Sequence, residues 1–250
     1  MKYSVFAFIL LFSLMLTGCS YPTPTEPSNI VPSPTSVKSE PTTAAPDTEP
    51  EEETQEYATK PQEKPEPLDT DFVKVIDYIP DIAIELRYAT SNNFTGQTVY
   101  DFQEPWLRYG TVKKLIKVQA RLAKHGFRLK IWDAFRPTAA QFRLWEICPD
   151  STYVANPYSG FSSHSRGNTV DITIIDQYGN EAEMPTGFDD FSKKADRDFS
   201  DCTAESAKNA AYLEEIMIEC GFSGYYGEWW HYTDTTSYPV EQNFNPTEKE

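Results

Sequence analysis

The chain has 250 residues and a formal net charge of −16, with a sequence pI of about 4.6. This carboxylate excess excludes nucleic acid as a partner, because phosphate is bound by clustered Lys and Arg, and it repels anionic lipid unless something else holds the chain there. The length allows one ordinary domain plus extra segments; aromatic residues, 14% of the chain, gather after residue 70, so a packed core belongs to the C-terminal part alone.

Residues 1–18 read as an export signal. Met1-Lys2 gives a short positive start, and Phe6 through Leu16 is an apolar run too short for a comfortable membrane span. It ends in Leu16-Thr17-Gly18-Cys19, which resembles a bacterial lipobox. In a lipobox the Cys is lipidated and becomes the mature N-terminus, so Cys19 is expected to anchor the exported protein to the membrane, facing away from the cytoplasm; several acyl chains on one residue anchor firmly, where one would not. The other reading is an ordinary cleaved signal with a chance Cys. Residues 19–70 form a linker of Pro, Thr, Ser and Glu with almost no large apolar side chains, a composition that favours extended, disordered chain and forbids a core. Its acidic run Glu51-Glu52-Glu53 is a solvated tract.

The folded domain is expected over residues 71–250. Val73, Val75 and Ile79, then Ile82, Ile84 and Leu86, alternate as strands do, with Pro80-Asp81 as a turn between them. Leu107 to Lys124 has helical spacing, and Gly126 stops it. Arg128 to Phe135 reads as a strand, and Pro137 starts a helix at its favoured first position, running to about Ile147. Thr169 to Ile175 is a strand, Thr203 to Cys220 a helix closed by Gly221, and Phe222 to Thr233 a final strand pair or bent strand. Strands and helices mix without βαβ repetition, which predicts an α+β fold with helices packed on a mainly antiparallel sheet. Cys148, Cys202 and Cys220 match no metal-binding spacing and read as small buried hydrophobes, with room for one bridge.

The chemistry gathers around two of three histidines. His125, at a helix end, suits the dipole there and reads as structural. His164 lies in a Ser- and Gly-rich loop leading into the strand on which Val170, Ile172 and Ile174 share the apolar face, while Asp171 and Thr173 point the other way. A carboxylate in that setting is costly to bury without a strong partner; a salt bridge or a metal would supply one. His231 follows Gly227-Glu228-Trp229-Trp230. Two His and an Asp with an open fourth position is the donor set of a catalytic zinc site. Glu228, three residues before His231, faces the opposite side of a regular strand; it reaches the same cavity only if the chain bends near Gly227, and otherwise is a surface or structural carboxylate.

Ser162-Ser163-His164-Ser165-Arg166-Gly167-Asn168-Thr169-Val170-Asp171 with Glu228-Trp229-Trp230-His231-Tyr232 resembles the VanX-type D-alanyl-D-alanine dipeptidases. Arg87-Tyr88-Ala89-Thr90 with Asn93-Phe94-Thr95-Gly96, and Trp132-Asp133-Ala134-Phe135-Arg136-Pro137, match further family segments in order, so the likeness covers most of residues 71–240. The resemblance implies one Zn2+ per chain in a central cleft, held by His164, Asp171 and His231. It implies Glu228 as catalytic base and proton shuttle, and Arg136 as the group that stabilises the oxyanion. It implies that Asp189 holds the substrate ammonium, with Asp190 a rival, and that Ser162 and Tyr88 line the pocket. The expected reaction is hydrolysis of D-Ala-D-Ala to two D-alanines. Export sets a tension with the resistance-type enzyme, which destroys the cytoplasmic dipeptide. Two alternatives therefore stand: a D,D-carboxypeptidase trimming D-alanine from peptidoglycan stem peptides, and a non-catalytic zinc domain binding cell-wall peptide, which an intact Glu228 and Arg136 disfavour.

Overall fold

A computed structural model describes residues 65–249; the expected signal peptide, Cys19 and most of the expected linker lie outside the described residues. Seven strands and three α-helices alternate irregularly. They are β1 (Phe72–Lys74), β2 (Ala83–Ile84), β3 (Trp106–Arg108), α1 (Tyr109–Ala123), β4 (Phe127–Asp133), α2 (Thr138–Ile147), β5 (Thr169–Asp176), α3 (Ala204–Glu219), β6 (Phe222–Tyr225) and β7 (Glu228–Asp234). Five strands form the main sheet in the order β2-β4-β5-β7-β6, all pairs antiparallel except the parallel β2–β4 edge. The expected α+β architecture with a mainly antiparallel sheet is the observed one.

Local chemistry explains the helices. In α1, Val112, Leu115, Val118 and Leu122 recur at three- and four-residue spacing and are fully buried. Gly126 follows at φ 79°, a conformation that suits glycine where the chain leaves a helix. Thr203 caps α3, its side chain accepting from the Ser206 N–H. Pro137 differs from expectation by one position: it is the residue before α2, with Thr138 the first helical one.

The N-terminal elements are shorter than alternation suggests. After β1 the backbone turns into a 3-10 helix at Val75–Asp77, and Ile79, Ile82 and Leu86 are buried from irregular chain around a two-residue β2. Trp106–Arg108, expected to begin a helix at Leu107, instead pairs antiparallel with β1 as a small second sheet. Just before β1, the Asp69 carbonyl accepts from Gly110 N, and Glu66 accepts from the Tyr109 hydroxyl at 2.7 Å, so the chain meets α1 ahead of the first strand. The C-terminal stretch returns to the same place. Phe244 stacks on Phe72 with centroids 4.3 Å apart, Glu241 pairs with Arg108 at 3.1 Å, and Thr247 donates to Asp101.

The centre of the sheet is β5, with Val170, Ile172 and Ile174 fully buried on one face and Asp171 and Thr173 buried on the other. A strand covered on both faces needs a polar partner for any charge on it, and that requirement locates the site. Cys148, Cys202 and Cys220 are all free thiols, so the possible bridge among them is not formed. His125 contacts the Tyr212 hydroxyl, at the end of α1 away from Asp171 and His231. Among the described residues no helix is long and apolar enough to cross a membrane.

Candidate active site

Three neighbouring strands and one loop build the site. Register pairs Asp171 of β5 with His231 of β7 on one side and with Asp133 of β4 on the other. The loop before β5 ends in a 3-10 turn, Ser163–Arg166, which carries His164 onto the same spot. Gly167 ends that turn at φ 75°, where a Cβ would collide with the Phe72 ring, so glycine is required both by the backbone and by the neighbour.

His164 Nε2 lies 3.3 Å from Asp171 Oδ2, His231 Nδ1 lies 3.0 Å from Asp171 Oδ1, and the two imidazole nitrogens are 3.4 Å apart. Tetrahedral zinc with bonds of about 2.0–2.1 Å separates its donors by roughly 3.3 Å; the two imidazole nitrogens stand at that spacing, each with a different Asp171 oxygen at 3.0–3.3 Å, and one ligand atom from each residue lies within 4.8 Å of the others. Asp171 Oδ1 is buried and makes no hydrogen bond of acceptable geometry despite its nearness to His231. An orphaned carboxylate oxygen between two imidazoles is what a metal ion would satisfy. The other ring nitrogens are engaged: His164 Nδ1 contacts the Ala134 carbonyl at 2.8 Å, and His231 Nε2 contacts Ser163 Oγ at 3.3 Å. Such outer contacts fix the tautomer and aim the ligating nitrogen.

Electrostatics agree with the geometry. Burial opposes charge on Asp171, yet His164 and then His231 hold its carboxyl well below the usual range. Burial would lower His164, but Asp171 and Asp133 outweigh it and raise the imidazole. Glu228 is raised, first by burial and then by Asp171, with His231 opposing.

The expected bend before His231 is present, in a form more specific than a turn at Gly227. β6 and β7 pair regularly from Phe222↔Asp234 to Gly224↔Tyr232; then Tyr225 pairs with Glu228, where regular register would give His231. Trp229, Trp230 and His231 form a bulge, and bulges re-aim side chains. Glu228 Oε2 comes within 3.5 Å of His231 Nδ1 and faces the same cleft.

That cleft has a volume of about 350 Å³, and the residues singled out in the sequence meet in it: Tyr88, Arg136, Ser162, His164, Asp171, Asp189, Glu228 and His231 all line it. Arg136 is buried, with its guanidinium donating to Asp133 at 2.7 Å, Gln141 at 3.2 Å and the Tyr100 hydroxyl at 3.3 Å, and 5.0 Å from the Tyr88 ring centre. Ser162 caps the His164 turn by accepting from the His164 N–H. Asp189 takes the Tyr88 hydroxyl at 3.3 Å and the Phe94 N–H at 3.4 Å. It sits at φ 60°, a conformation an L-residue adopts at a cost of roughly 1–2 kcal/mol. Asp190 turns away, exposed, and accepts from Ser192 N in a local turn.

Two contributors carried no assignment in the sequence. Asp133, fully buried, accepts from Tyr100, Arg136 and the Ala134 N–H, and lies 3.6 Å from His164 Nδ1. The reasoning applied to Asp171, that a carboxylate in an apolar strand needs a partner, also singles out Asp133 between Trp132 and Ala134. Arg197 binds the bulge from behind; nothing in Lys193-Lys194-Ala195-Asp196-Arg197 sets it apart from a solvated basic stretch.

A family model described as D-ala-D-ala dipeptidase, Peptidase_M15, matches residues 68–249. The D-alanyl-D-alanine dipeptidase of Escherichia coli (strain K12) is 35% identical over 173 residues, covering 68% of this chain and 89% of that protein. The protein of the same name from Streptomyces coelicolor is 34% identical over 184 residues, covering 65% of this chain and 91% of its own length. A solved vancomycin-resistance D,D-pentapeptidase VanY in complex with Zn(II) aligns over 53% of this chain at 15% identity and a TM-score of 0.34, too slight a likeness to bear on the site.

Proposed function

The chain belongs to the D-Ala-D-Ala dipeptidase family of metallopeptidases, and we propose that it is a zinc enzyme that hydrolyses free D-Ala-D-Ala to two D-alanines. The observation that carries this reading is the sharing of one cleft by the His164, Asp171 and His231 donor triad and the carboxylate of Asp189. His164, Asp171 and His231 hold the ion, which when bound supplies Lewis acidity toward the scissile carbonyl and a water of lowered pKa.

The protein's own groups do the rest. Glu228, raised by burial, takes the proton of the attacking water and delivers it to the leaving amine. Arg136 faces the cleft with its guanidinium plane fixed by Asp133, Gln141 and Tyr100, and its remaining N–H groups stabilise the developing oxyanion without having to reorganise. Asp189 receives the substrate ammonium, and Tyr88 steadies that carboxylate. A dipeptide carries its ammonium one residue before the scissile bond. An acylated or longer peptide has none there and leaves the buried Asp189 carboxylate without a cationic partner, which is penalised. This disfavours the carboxypeptidase alternative.

The purified full chain with zinc should release D-alanine from D-Ala-D-Ala and not from its N-acetylated form or a stem pentapeptide. Asp189→Asn should lower kcat/KM on the free dipeptide by on the order of 10- to 100-fold, the equivalent of about 1.5–3 kcal/mol for a charge-assisted hydrogen bond. Efficient cleavage of the pentapeptide, unaltered by Asp189→Asn, would install the carboxypeptidase instead.

Asp189 also sets a pH dependence. Burial, and next the charge of Asp171, push its carboxyl up to about 7. Only the ionised form pairs with an ammonium, so KM should rise as pH falls below about 7. Steady-state kinetics from pH 5 to 8 test this: the KM limb should vanish in Asp189→Asn, and a limb that persists there belongs to another group.

The exported, lipid-anchored location is part of the same proposal, supported by Leu16-Thr17-Gly18-Cys19 after the apolar run. Cys19→Ala should abolish lipid labelling and membrane retention while leaving the purified protein's turnover unchanged. A parent chain that takes up no lipid label argues for an ordinary cleaved signal, and labelling unchanged in Cys19→Ala counts against Cys19 as the anchor.

A further inference from the structure

We propose that Arg197 is a positioning residue for the metal centre: its guanidinium holds the β7 bulge that brings Glu228 and His231 to one cavity. The inference rests on the zinc reading above and extends it to a residue outside the cleft. Across the bulge, Trp229 to His231 lose their regular partners on β6. Backbone carbonyls left buried without partners are costly, and here one side chain collects them. Arg197 Nη2 donates to the carbonyls of Glu228 at 3.1 Å, Trp229 at 3.0 Å and His231 at 2.9 Å, and Nε donates to that of Tyr225 at 2.8 Å. Two of those four carbonyls belong to the proposed base and the proposed ligand themselves.

The guanidinium is itself held in place. Nη1 lies 3.2 Å from both the Tyr232 hydroxyl and Glu214 of α3, and the guanidinium carbon stands 4.4 Å from the Tyr232 ring centre. The Arg197 N–H donates to the Tyr226 carbonyl in the β6–β7 turn at 3.0 Å, so the main chain is tied to the same hairpin. Gly224 provides the space: a Cβ there would overlap the Arg197 guanidinium. The planar fork holds both strands at once, with Nη2 sharing its two N–H groups among the three β7 carbonyls and Nε on the Tyr225 carbonyl of β6; an ammonium is a point donor and could serve the β7 cluster but not both strands together. The bulge would otherwise relax toward regular pairing, which turns Glu228 and His231 to opposite faces.

The test compares the purified full chain with Arg197→Lys and Gly224→Ala. Zinc affinity is measured by competition with a chromophoric chelator, and kcat and KM are measured on D-Ala-D-Ala, at a temperature where circular dichroism shows each variant folded. Arg197→Lys keeps the charge and loses the fork; Gly224→Ala keeps Arg197 and expels it from its seat. Both should weaken zinc binding about 10- to 100-fold, the range seen when an outer contact to a metal ligand is removed, and both should lower kcat with KM within about threefold. Parent-like zinc affinity in folded Arg197→Lys and Gly224→Ala would overturn the proposal. If Arg197→Lys fails to fold, Gly224→Ala decides. A parent that takes up zinc but releases no D-alanine from D-Ala-D-Ala sinks the dipeptidase reading alone and leaves the affinity comparison to judge Arg197.

Discussion

Glu228→Ala is expected to keep about one zinc per chain and to lose turnover by on the order of 10²- to 10⁴-fold, the range a general base contributes. Metal retention follows because His164, Asp171 and His231 keep their mutual spacing of 3.0–3.4 Å without any help from Glu228. KM should change little, since the proposed ammonium partner, Asp189, lies on another element. Elemental analysis alongside D-alanine release separates the outcomes. A metal-replete Glu228→Ala protein nearly as active as the parent would show that another group moves the proton, and a metal-free one would make Glu228 a ligand.

Asp171→Ala should abolish zinc binding and activity together, the largest effect expected of any single substitution. Its carboxylate stands between the two imidazoles and is the only anion of the triad, and a site left with two neutral donors holds zinc poorly. A second measurement does not depend on turnover. A ligand that binds only the folded state at a free concentration 100 times its Kd adds about 2.7 kcal/mol of stability. Chelator should therefore lower the melting temperature of the parent by several degrees and leave that of Asp171→Ala unmoved. An Asp171→Ala protein that still gains stability from zinc would place the metal elsewhere.

Much of this arrangement is readable from the chain. β5 declares itself by Val170, Ile172 and Ile174, and the cost of burying Asp171 among them is enough to call for a cation. α1 is legible because helical periodicity is local. β3 is not, because Trp106–Arg108 is three residues long and is made a strand only by β1, more than thirty positions away. Sequence leaves Asp189 and Asp190 equivalent, for the choice is made by backbone twist: at φ 60° Asp189 is turned toward Tyr88, and its neighbour goes to solvent. Glu228 defeats simple alternation for a related reason. The register shift that rescues it is dictated by carbonyls meeting Arg197, and a contact between a side chain and a distant main chain leaves no periodic signature.

The meeting of the two ends of the domain has a bearing on when the protein can fold. Phe72 lies against both Phe244 and Phe135, and Arg108 of β3 is bound by Glu241, so the small β1–β3 sheet is completed by residues more than 130 positions further along the chain. Contacts of such sequence separation form late, since the loop entropy is spent before they repay it. A chain lacking residues 241–247 would leave the Phe72 and Phe135 rings without Phe244 and β3 without its acidic clasp.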